Sequence, residues 1–506
     1  MRIKNSMKNM FFSTFLNITN ILIKLISRIF FLNILSSEYL GLNSLFNNVL
    51  YMLSIVELGI GNSIVYFLYK PIAEKNKEKQ KSLINFYKKS YRLIGIIITC
   101  LGLLIIPFLS FFVGNKTIDV NIEFAFILYL LSVVVSYFIS YKRSILYADE
   151  KNYIINIVHI IYIVLLNLIQ TIILIITKNY YLYLIINLIM VILENIVLNI
   201  IVNNRYSYLK EKKVKQLDKK TKKELLLKIK GMLFHKIGSF IVLGSDNIII
   251  SKFLGLATVG LYSNYYIIIN SIKNIFFQLI QSTTASVGNM LATESKEKQF
   301  DIFKKIRFIN FWFSTFSSIA LMIIMESFIT LWIGKQYLLP TSVLFVLVIN
   351  YYFFSSRATF YVFKDAGGLY YEDRYVPLFE AITNIVVSII FIKLFGLAGV
   401  FLGTIISSFW LCFYSYPKYV YKKLFNRNIS SYFKETFGYI ILFFIILCTS
   451  YVAVRLIVID NIYLQFFVNC LFSIIVPNTI LLLIFSKTEN FKYLINLLFK
   501  RNRVKK

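Results

Sequence analysis

This 506-residue chain has few acidic residues and few of the side chains that bind metals or form disulfides. It contains 24 Asp and Glu against 55 Lys and Arg, with two histidines and four cysteines. The cysteines all fall in apolar stretches and none has a partner at CxxC spacing, which is typical of small core residues rather than ligands. Neither His159 nor His235 has a local cluster of Cys, Asp or Glu. A structural metal site is therefore not expected.

Sequence signals for nucleic-acid binding and for a removable leader are also missing. The net charge of +31 could suggest a nucleic-acid partner, but no RNP-like or helix-turn-helix pattern accompanies it. No cleavable signal peptide is visible, because the first apolar run is long and lacks a small-residue cleavage site. We expect that run to remain as an anchor.

What the sequence does contain is a series of long apolar runs. Hydrophobic residues make up 58% of the chain and the mean hydropathy is +0.70, far from the soluble average. With about 20 apolar residues needed to cross a bilayer, we identify fourteen candidate spans. They cover residues 11–35, 40–69, 93–114, 122–141, 153–177, 180–202, 231–251, 258–291, 308–333, 341–363, 375–392, 396–417, 436–459 and 461–485.

The basic residues outside these runs lie almost entirely in alternate gaps. One set of gaps holds 44 Lys and Arg and the other holds 5. Short loops rich in Lys and Arg stay in the cytoplasm, so the pattern predicts that both termini are inside. The same loops would attract anionic lipid headgroups.

The chain also repeats itself at an offset of about 219 residues. Three pairs of motifs come into register in order: Gly41-Leu42 with Gly260-Leu261, Lys77–Gln80 with Lys296–Gln299, and Gly114 with Gly334 one residue later. Each repeat holds an even number of spans, so the two copies are predicted to be parallel.

The repeat predicts an all-α integral membrane fold with two pseudo-symmetric six-helix bundles and two further C-terminal helices. The predicted parts are an N-terminal lobe at 1–202, a basic cytoplasmic linker at 203–230, a C-terminal lobe at 231–417, and the added helices with a basic tail at 418–506. The linker contains eleven Lys and Arg and is expected to lie on the surface or to be mobile.

Four of the predicted spans carry polar residues at helical spacing, on one face of each helix. These are Ser13, Asn17, Asn20, Lys24 and Arg28 in the first span; Asn43, Asn47, Ser54, Glu57 and Gly61 in the second; His235, Ser239 and Asp246 in the seventh; and Ser271, Asn274, Gln278, either Gln281 or Ser282, and Asn289 in the eighth. We predict that these faces contact water.

Charged residues within spans must form ion pairs, extend to the headgroups or border water, because each costs about 2.5–3.5 kcal/mol at the centre of a membrane helix. Arg28 and Asp246, nearly equivalent under the repeat, could form an ion pair. Lys24 and Lys273 have no local carboxylate, which favours a cavity. Glu57 could equally satisfy a helix break at the glycines that follow it.

Three further basic residues, Lys142, Arg143 and Arg357, lie near the inner ends of their spans. Long cationic side chains in this position commonly extend to the headgroup region, and we expect these three to do so.

Two parallel halves with polar faces predict a central cavity suited to alternating access. Lys24, Arg28 and Lys273 would bind a phosphate or pyrophosphate. The neutral lining would comprise Asn17, Asn20, Asn47, Ser239, Asn274 and Gln278. Glu57 and Asp246 would couple transport to a Na⁺ or H⁺ gradient, or would join the lobes. The pattern favours a phosphate-linked sugar as cargo. We predict no catalytic residue, metal site or cofactor in the protein.

Four passages resemble the oligosaccharide flippases of the polysaccharide-exporter (Wzx-type) branch of the MOP superfamily: residues 39–76, 244–265, 286–292 and 370–407. The resemblance implies two six-helix lobes in a V with a cationic cavity. It also implies a cargo of sugar repeat units on undecaprenyl pyrophosphate, an inner-membrane location, and polysaccharide polymerase and chain-length proteins as partners. The cavity arginines of the lipid II branch are not reproduced, since the second span carries Glu57 and the eighth Lys273.

Three alternatives remain open. A lipid II flippase is disfavoured by that departure. A MATE-like drug or cation antiporter would be expected to have carboxylates dominating the cavity, whereas these stripes are mostly cationic and amide. A membrane polymerase or ligase of lipid-linked glycans would need a long outer loop for its chemistry, and every predicted outer gap is short.

Overall fold

The computed structural model describes the backbone of residues 2–57, 60–113, 118–211, 214–369 and 372–499. Side chains are described in these ranges except at 2–4, 6, 62, 227–243, 285 and 497–499. Across these ranges the chain forms helices joined by short turns, without strands. The predicted all-helical class is confirmed.

The chain divides into two compact units, residues 1–260 and 261–506. The helices of the first unit are α1 (Arg2–Ile34), α2 (Ser37–Leu53), α3 (Ile60–Ala73), α4 (Lys77–Ile105), α5 (Leu109–Val113), α6 (Ile122–Ile139), α7 (Arg143–Ala148), α8 (Asn152–Thr177), α9 (Tyr180–Arg205) and the first part of α10 (Lys219–Gln281). A 3₁₀ turn at Ser54–Glu57 ends α2.

The second unit begins within α10. It continues with α11 (Thr284–Thr293), α12 (Lys296–Trp332), α13 (Thr341–Ser356), α14 (Ala358–Ala366), α15 (Val376–Phe395), α16 (Leu397–Ser407), a π-helical segment (Trp410–Leu424), α17 (Ile429–Arg455), α18 (Ile462–Phe485) and α19 (Glu489–Phe499).

Eleven helices in the described ranges are long and apolar enough to cross a membrane, and each overlaps one of the fourteen predicted spans. The other three predictions fall on 40–69, which the turn after α2 interrupts, and on the two parts of α10. The chain is a multi-pass membrane protein, and the number fourteen stays a prediction.

Six of the described helices begin directly after a residue whose side-chain oxygen caps the first turn. The side-chain oxygen of Asn179 accepts hydrogen bonds from the backbone N–H groups of Tyr181 and Leu182, at 2.8 and 3.1 Å. Asn76, Asn121, Ser295, Asn428 and Asn461 cap α4, α6, α12, α17 and α18 in the same way. These caps satisfy N–H groups that have no partner inside the helix.

Helix α10 is two helices joined at Gly255. This residue has φ +84° and ψ 168°, a conformation that glycine adopts without steric cost. The break falls in the gap predicted between residues 251 and 258.

The sequence repeat corresponds to repeated local structure. Lys77–Gln80 opens α4 and Lys296–Gln299 opens α12, each directly after its cap. The amide of Gln80 donates to the carbonyl of Pro71 at 2.9 Å, and that of Gln299 donates to Leu291 at 3.1 Å. In both copies the glutamine ties the new helix to the preceding one.

The glycines of the repeat mark a close helix crossing within the first unit. A Cβ atom placed on Gly41 would lie 1.9 Å from the carbonyl oxygen of Leu256, and one on Gly260 would lie 2.0 Å from that of Ser37. The repeat offset of 219 residues relates the two contacts, because it maps Gly41 onto Gly260 and Ser37 onto Leu256. Because no side chain fits there, the backbones of α2 and α10 touch.

The basic segment after α9 is attached to the start of α4. The ammonium of Lys81 contacts Glu211 at 2.8 Å, and the hydroxyl of Ser82 donates to the carbonyl of Lys215 at 2.8 Å. Tyr208 also donates to Gln80. These contacts hold the described part of the segment against the start of α4.

Candidate functional site

The polar face of α1 begins as a helix contact and continues onto exposed surface. The amide of Asn156 on α8 donates to the hydroxyl of Ser13 at 2.8 Å. One turn further along, Asn17 is exposed, and Lys24 is exposed two turns beyond it. Ser13 therefore serves packing, while Asn17 and Lys24 are available to a ligand or to water.

The remaining predicted residues on α1, Asn20 and Arg28, are half-buried. Lys24 lies within electrostatic range of Arg28, one helical turn away, and Arg28 lies near the phenol of Tyr183. Two cations one turn apart on a helix repel each other. An anion bound beside them would relieve that repulsion.

The amides of α2 divide between the core and the surface. Asn43 is buried and accepts a hydrogen bond from the hydroxyl of Tyr180 at 2.6 Å. Asn47, one turn later, is exposed and donates to the hydroxyl of Tyr129 at 3.2 Å. The predicted wet stripe therefore does not include Asn43, because a tyrosine from α9 covers it.

Glu57 lies at the end of the turn that interrupts the second predicted span. Its Oε1 accepts a hydrogen bond of 2.6 Å from the hydroxyl of Tyr91, whose ring centroid lies 4.2 Å from that of Tyr87. A Cβ atom on Gly61 would lie 2.9 Å from the Tyr87 hydroxyl oxygen and 3.2 Å from Glu57 Oε1. The helix break and Gly61 thus make room for a half-buried carboxylate held by phenols, a group that can accept a proton or contact a cation.

A second ionisable cluster in the first unit has no counterpart in the sequence prediction. His159 Nδ1 lies 2.8 Å from Glu194 Oε1, and Arg143 Nη2 lies 3.5 Å from Glu194 Oε2. Arg143 also donates to Asn195 at 3.0 Å. The side chain of Glu194 is only 6% exposed.

This cluster corrects the prediction for Arg143, which contacts Glu194 instead of extending to the headgroups. It also gives His159 one carboxylate partner, 35 residues away in the chain, which is not the metal-binding cluster that the sequence argued against. The only available signal was the presence of Glu194 within an apolar run, where a carboxylate is costly without a partner. Lys142 also has an internal partner, the side-chain oxygen of Asn203 at 2.6 Å.

In the second unit, the predicted residues of α10 lie on a partly exposed face. Asn274 and Gln278 are exposed, one turn apart. Lys273 is half-buried, and its ammonium lies 3.4 Å from the ring centroid of Phe354 on α13. This cation–π contact stabilises the ammonium group, and a cation in this position can also attract an anion.

Two predicted site residues on α10 of the first unit stay predictions. The side chain of Ser239 lies outside the described residues. Asp246 is half-buried, and the described contacts do not test its proposed pairing with Arg28.

Among the side chains that the structure describes, no group of three or more His, Cys, Asp or Glu could hold a metal ion.

One known protein family matches the first half of the chain and part of the second. A family model described as "Polysaccharide biosynthesis protein" matches residues 6–285, which is more than half of the chain. The chain belongs to this family. The match includes α1, α2 and the whole of α10, the helices that carry the polar residues described above. No curated protein matches the chain.

Solved structures with the same fold are flippases and transporters. Lipid II flippase MurJ, in an inward closed conformation, aligns with a TM-score of 0.66 at 17% identity, covering 96% of this chain and 99% of that one. An inward-facing multidrug resistance MATE transporter of the MOP superfamily aligns at 0.60 and 16%, covering 76% and 90%. The Vibrio cholerae MATE transporter VcmN aligns at 0.55 and 14%, covering 80% and 94%.

These identities establish the fold of this polysaccharide biosynthesis family member, not its cargo. The family match and the structural alignments do not identify a transported molecule. The Wzx-type branch is a finer assignment that they leave as a prediction.

Proposed function

We propose that this protein flips undecaprenyl-pyrophosphate-linked oligosaccharide repeat units from the inner to the outer leaflet of the bacterial cytoplasmic membrane by alternating access. The units would serve capsule, O-antigen or exopolysaccharide synthesis. Both termini would lie in the cytoplasm. Polysaccharide polymerase and chain-length proteins would act next on the same lipid-linked glycan.

The physical need for such a protein is the cost of dehydrating a sugar. Each hydroxyl moved into hydrocarbon without a partner costs about 4–8 kcal/mol on a cyclohexane scale. A repeat unit with several hydroxyls therefore requires a hydrated path. The exposed amides Asn17, Asn47, Asn274 and Gln278, on helices of otherwise apolar composition, support such a path for the sugar. Asn20 is half-buried, one helical turn from Asn17, and Ser239 is proposed from its position in the sequence.

The observation that carries the proposal is the pair of cations on α1. Lys24 is exposed on a helix long enough to span the membrane, with Arg28 one turn away. A cation in this position is costly unless an anion or water accompanies it. We propose that Lys24, Arg28 and Lys273 hold the pyrophosphate, because two phosphate groups provide acceptors for several charge-assisted hydrogen bonds.

Energy coupling is assigned to Glu57, with Asp246 as the second candidate. Transport against a gradient needs a group that binds and releases a proton or Na⁺ during the cycle. Glu57 is half-buried, lies at a helix break and accepts a hydrogen bond from Tyr91. Glu57→Gln should therefore abolish the dependence of transport on the ion gradient, while Glu123→Gln, an exposed carboxylate of the same unit, should not.

The decisive experiment is a proteoliposome assay with a labelled undecaprenyl-pyrophosphate oligosaccharide, scored by its exposure to a lectin outside the vesicle. Arg28→Glu and Lys273→Glu should each lower flipping at least tenfold with normal membrane insertion. Lys223→Glu makes the same charge change at an exposed position and should leave flipping unchanged. Unaltered flipping in both cavity variants would refute the phosphate clamp.

Parallel vesicles separate the alternatives. Lipid II replaces the glycan in one set, and a cationic dye replaces it in another. Flipping of lipid II at a rate equal to the oligosaccharide lipid, or dye transport without glycan flipping, would refute the assigned cargo. Elongation of the glycan by the purified protein would indicate a polymerase.

A further inference from the structure

The second unit contains an aromatic cavity that the proposed transport path does not use. It has a volume of about 170 Å³ and lies among α12, α13, α14, the π-helical segment and α17. This volume is similar to that of a cavity of about 150 Å³ that accommodates benzene. The cavity therefore fits a small group and a few carbons, not an oligosaccharide.

Two arginines border the cavity, and one of them is fully engaged by protein groups. Arg307 donates to Tyr421, to Glu435 Oε2 at 2.9 Å and to Thr436 Oγ1 at 2.8 Å. Its charge is balanced by the Glu435 carboxylate. Arg307 therefore has a structural role and leaves little capacity for a ligand.

The second arginine, Arg357, is not engaged in this way. It is 8% exposed, and its Nε and Nη1 atoms have no hydrogen-bond acceptor. Arg357 forms an ion pair with Glu380, whose Oε1 lies 3.7 Å from Nη1, but this distance is too long for a hydrogen bond. The hydroxyl of Tyr416, also on the cavity wall, is buried without a partner. Three polar atoms are thus placed around the cavity with unused hydrogen-bonding capacity.

Leaving such groups unsatisfied is costly. A buried donor without an acceptor costs about 1–3 kcal/mol, and more when it is charged. Arg357 was expected to extend to the headgroups, but its burial excludes this. An anionic oxygen entering the cavity would satisfy the guanidinium and the phenol together.

Most of the remaining wall is apolar and reaches the surface of the unit. Phe409, Phe413 and Phe437 line the cavity and are also 37%, 46% and 46% exposed. In a membrane protein, exposed aromatic side chains of this kind provide a surface for acyl chains. A charged end beside an apolar surface is complementary to an amphiphile with one anionic group.

The charge pattern of the sequence indicates which membrane leaflet supplies this anionic amphiphile. Arg307 closes the predicted cytoplasmic gap at 296–307, and Arg357 precedes the one at 364–374. The cytoplasmic leaflet is the one rich in anionic lipids. We propose that this cavity binds the phosphate of an anionic phospholipid, with Arg357 as its principal donor and the three phenylalanines against its chains.

Cys412 offers a direct test, because it lines the cavity and is partly exposed. A variant carrying Cys100→Ser, Cys448→Ser and Cys470→Ser retains this thiol alone. In detergent, phosphatidylglycerol should slow maleimide labelling of Cys412 at least threefold. Phosphatidylcholine and inorganic phosphate should not.

Substitutions then identify the donor. Arg357→Gln should remove the protection by phosphatidylglycerol, and Arg357→Lys should keep part of it. Tyr416→Phe, which preserves shape, should weaken the protection without removing it. Native mass spectrometry of the same variants should show fewer bound phosphatidylglycerol molecules. If Arg357→Gln does not fold, the tyrosine variant and the lysine variant carry the test.

The control is a variant that retains only Cys100, an exposed thiol of the first unit. Phosphatidylglycerol and phosphatidylcholine should change the maleimide labelling rate of Cys100 equally. Equal protection of Cys412 by the two lipids, or none, would overturn the proposal. Protection by inorganic phosphate alone would indicate a free-anion site and would also overturn it.

Discussion

The crossing of α2 and α10 offers the sharpest test of the structure, through the substitutions Gly41→Ala and Gly260→Ala. Each would place a Cβ atom about 2 Å from a backbone carbonyl oxygen, that of Leu256 or of Ser37. Real Cβ contacts are essentially never shorter than 3.0 Å. The helices would therefore have to separate locally by about 1 Å, because a backbone carbonyl cannot rotate away as a flexible side chain can.

The expected cost follows from two opposing terms. Overpacking a close helix contact costs about 1–3 kcal/mol, and the rigid partner favours the upper end. Replacing a helical glycine with alanine returns about 1 kcal/mol of helix propensity. Each single variant should thus lower the free energy of unfolding by about 2 kcal/mol.

The repeat adds a second, stricter expectation. Both substitutions act on one crossing, so the separation that accommodates the first also relieves the second. The double variant should therefore cost about 3 kcal/mol, less than the sum of the singles. Gly438→Ala is the matched control, because Gly438 is an exposed helical glycine with no atom within 4 Å of a new Cβ. It should be neutral or slightly stabilising.

The assay is SDS-titration unfolding of the purified protein in mixed micelles, followed by loss of helical circular dichroism. Single variants as stable as Gly438→Ala would show that the backbones are not in contact. If the losses in free energy of unfolding from Gly41→Ala and Gly260→Ala are strictly additive in the double variant, the two glycines do not share a crossing.

Three further substitutions test other parts of the fold by the same unfolding assay. Gly255→Ala should cost about 1–3 kcal/mol through backbone conformation alone, since no atom lies near its Cβ; a neutral result would refute the break in α10. Asn43→Ala should cost about 1–3 kcal/mol by leaving the Tyr180 hydroxyl without its acceptor, and a variant as stable as wild type would show that water replaces it. Glu194→Ala should cost about 1–3 kcal/mol because it leaves a half-buried arginine and a half-buried histidine without their carboxylate, and Glu194→Gln should cost less; equal losses would show that charge is irrelevant there.

Part of the candidate site was predictable because its signals are local. Helical spacing placed Asn17 and Lys24 on one stripe, and both are exposed. The glycines after Glu57 indicated a helix break, and a 3₁₀ turn ends at that residue. In the second unit, the same spacing placed Asn274 and Gln278 on one exposed face.

Other parts could not be predicted, because they depend on partners distant in the chain. Asn43 and Asn47 belong to one polar stripe, yet Tyr180 buries the first, which is a fact about α9 rather than α2. Arg357 stands at a helix end like many basic residues that extend to the headgroups, but the surrounding helices enclose it.

The amino-acid sequence by itself determined the long apolar helices, the gap in which α10 breaks and the paired motifs of the repeat, because each of these features is encoded by residues within a few turns of one another. The tertiary structure alone decided which polar side chains are buried and which are accessible. Those outcomes follow from contacts between helices far apart in the chain, such as Glu194 with His159 and Gly41 with Leu256. In a membrane protein such contacts matter greatly, since an unpaired polar group in hydrocarbon has no water to replace its partner.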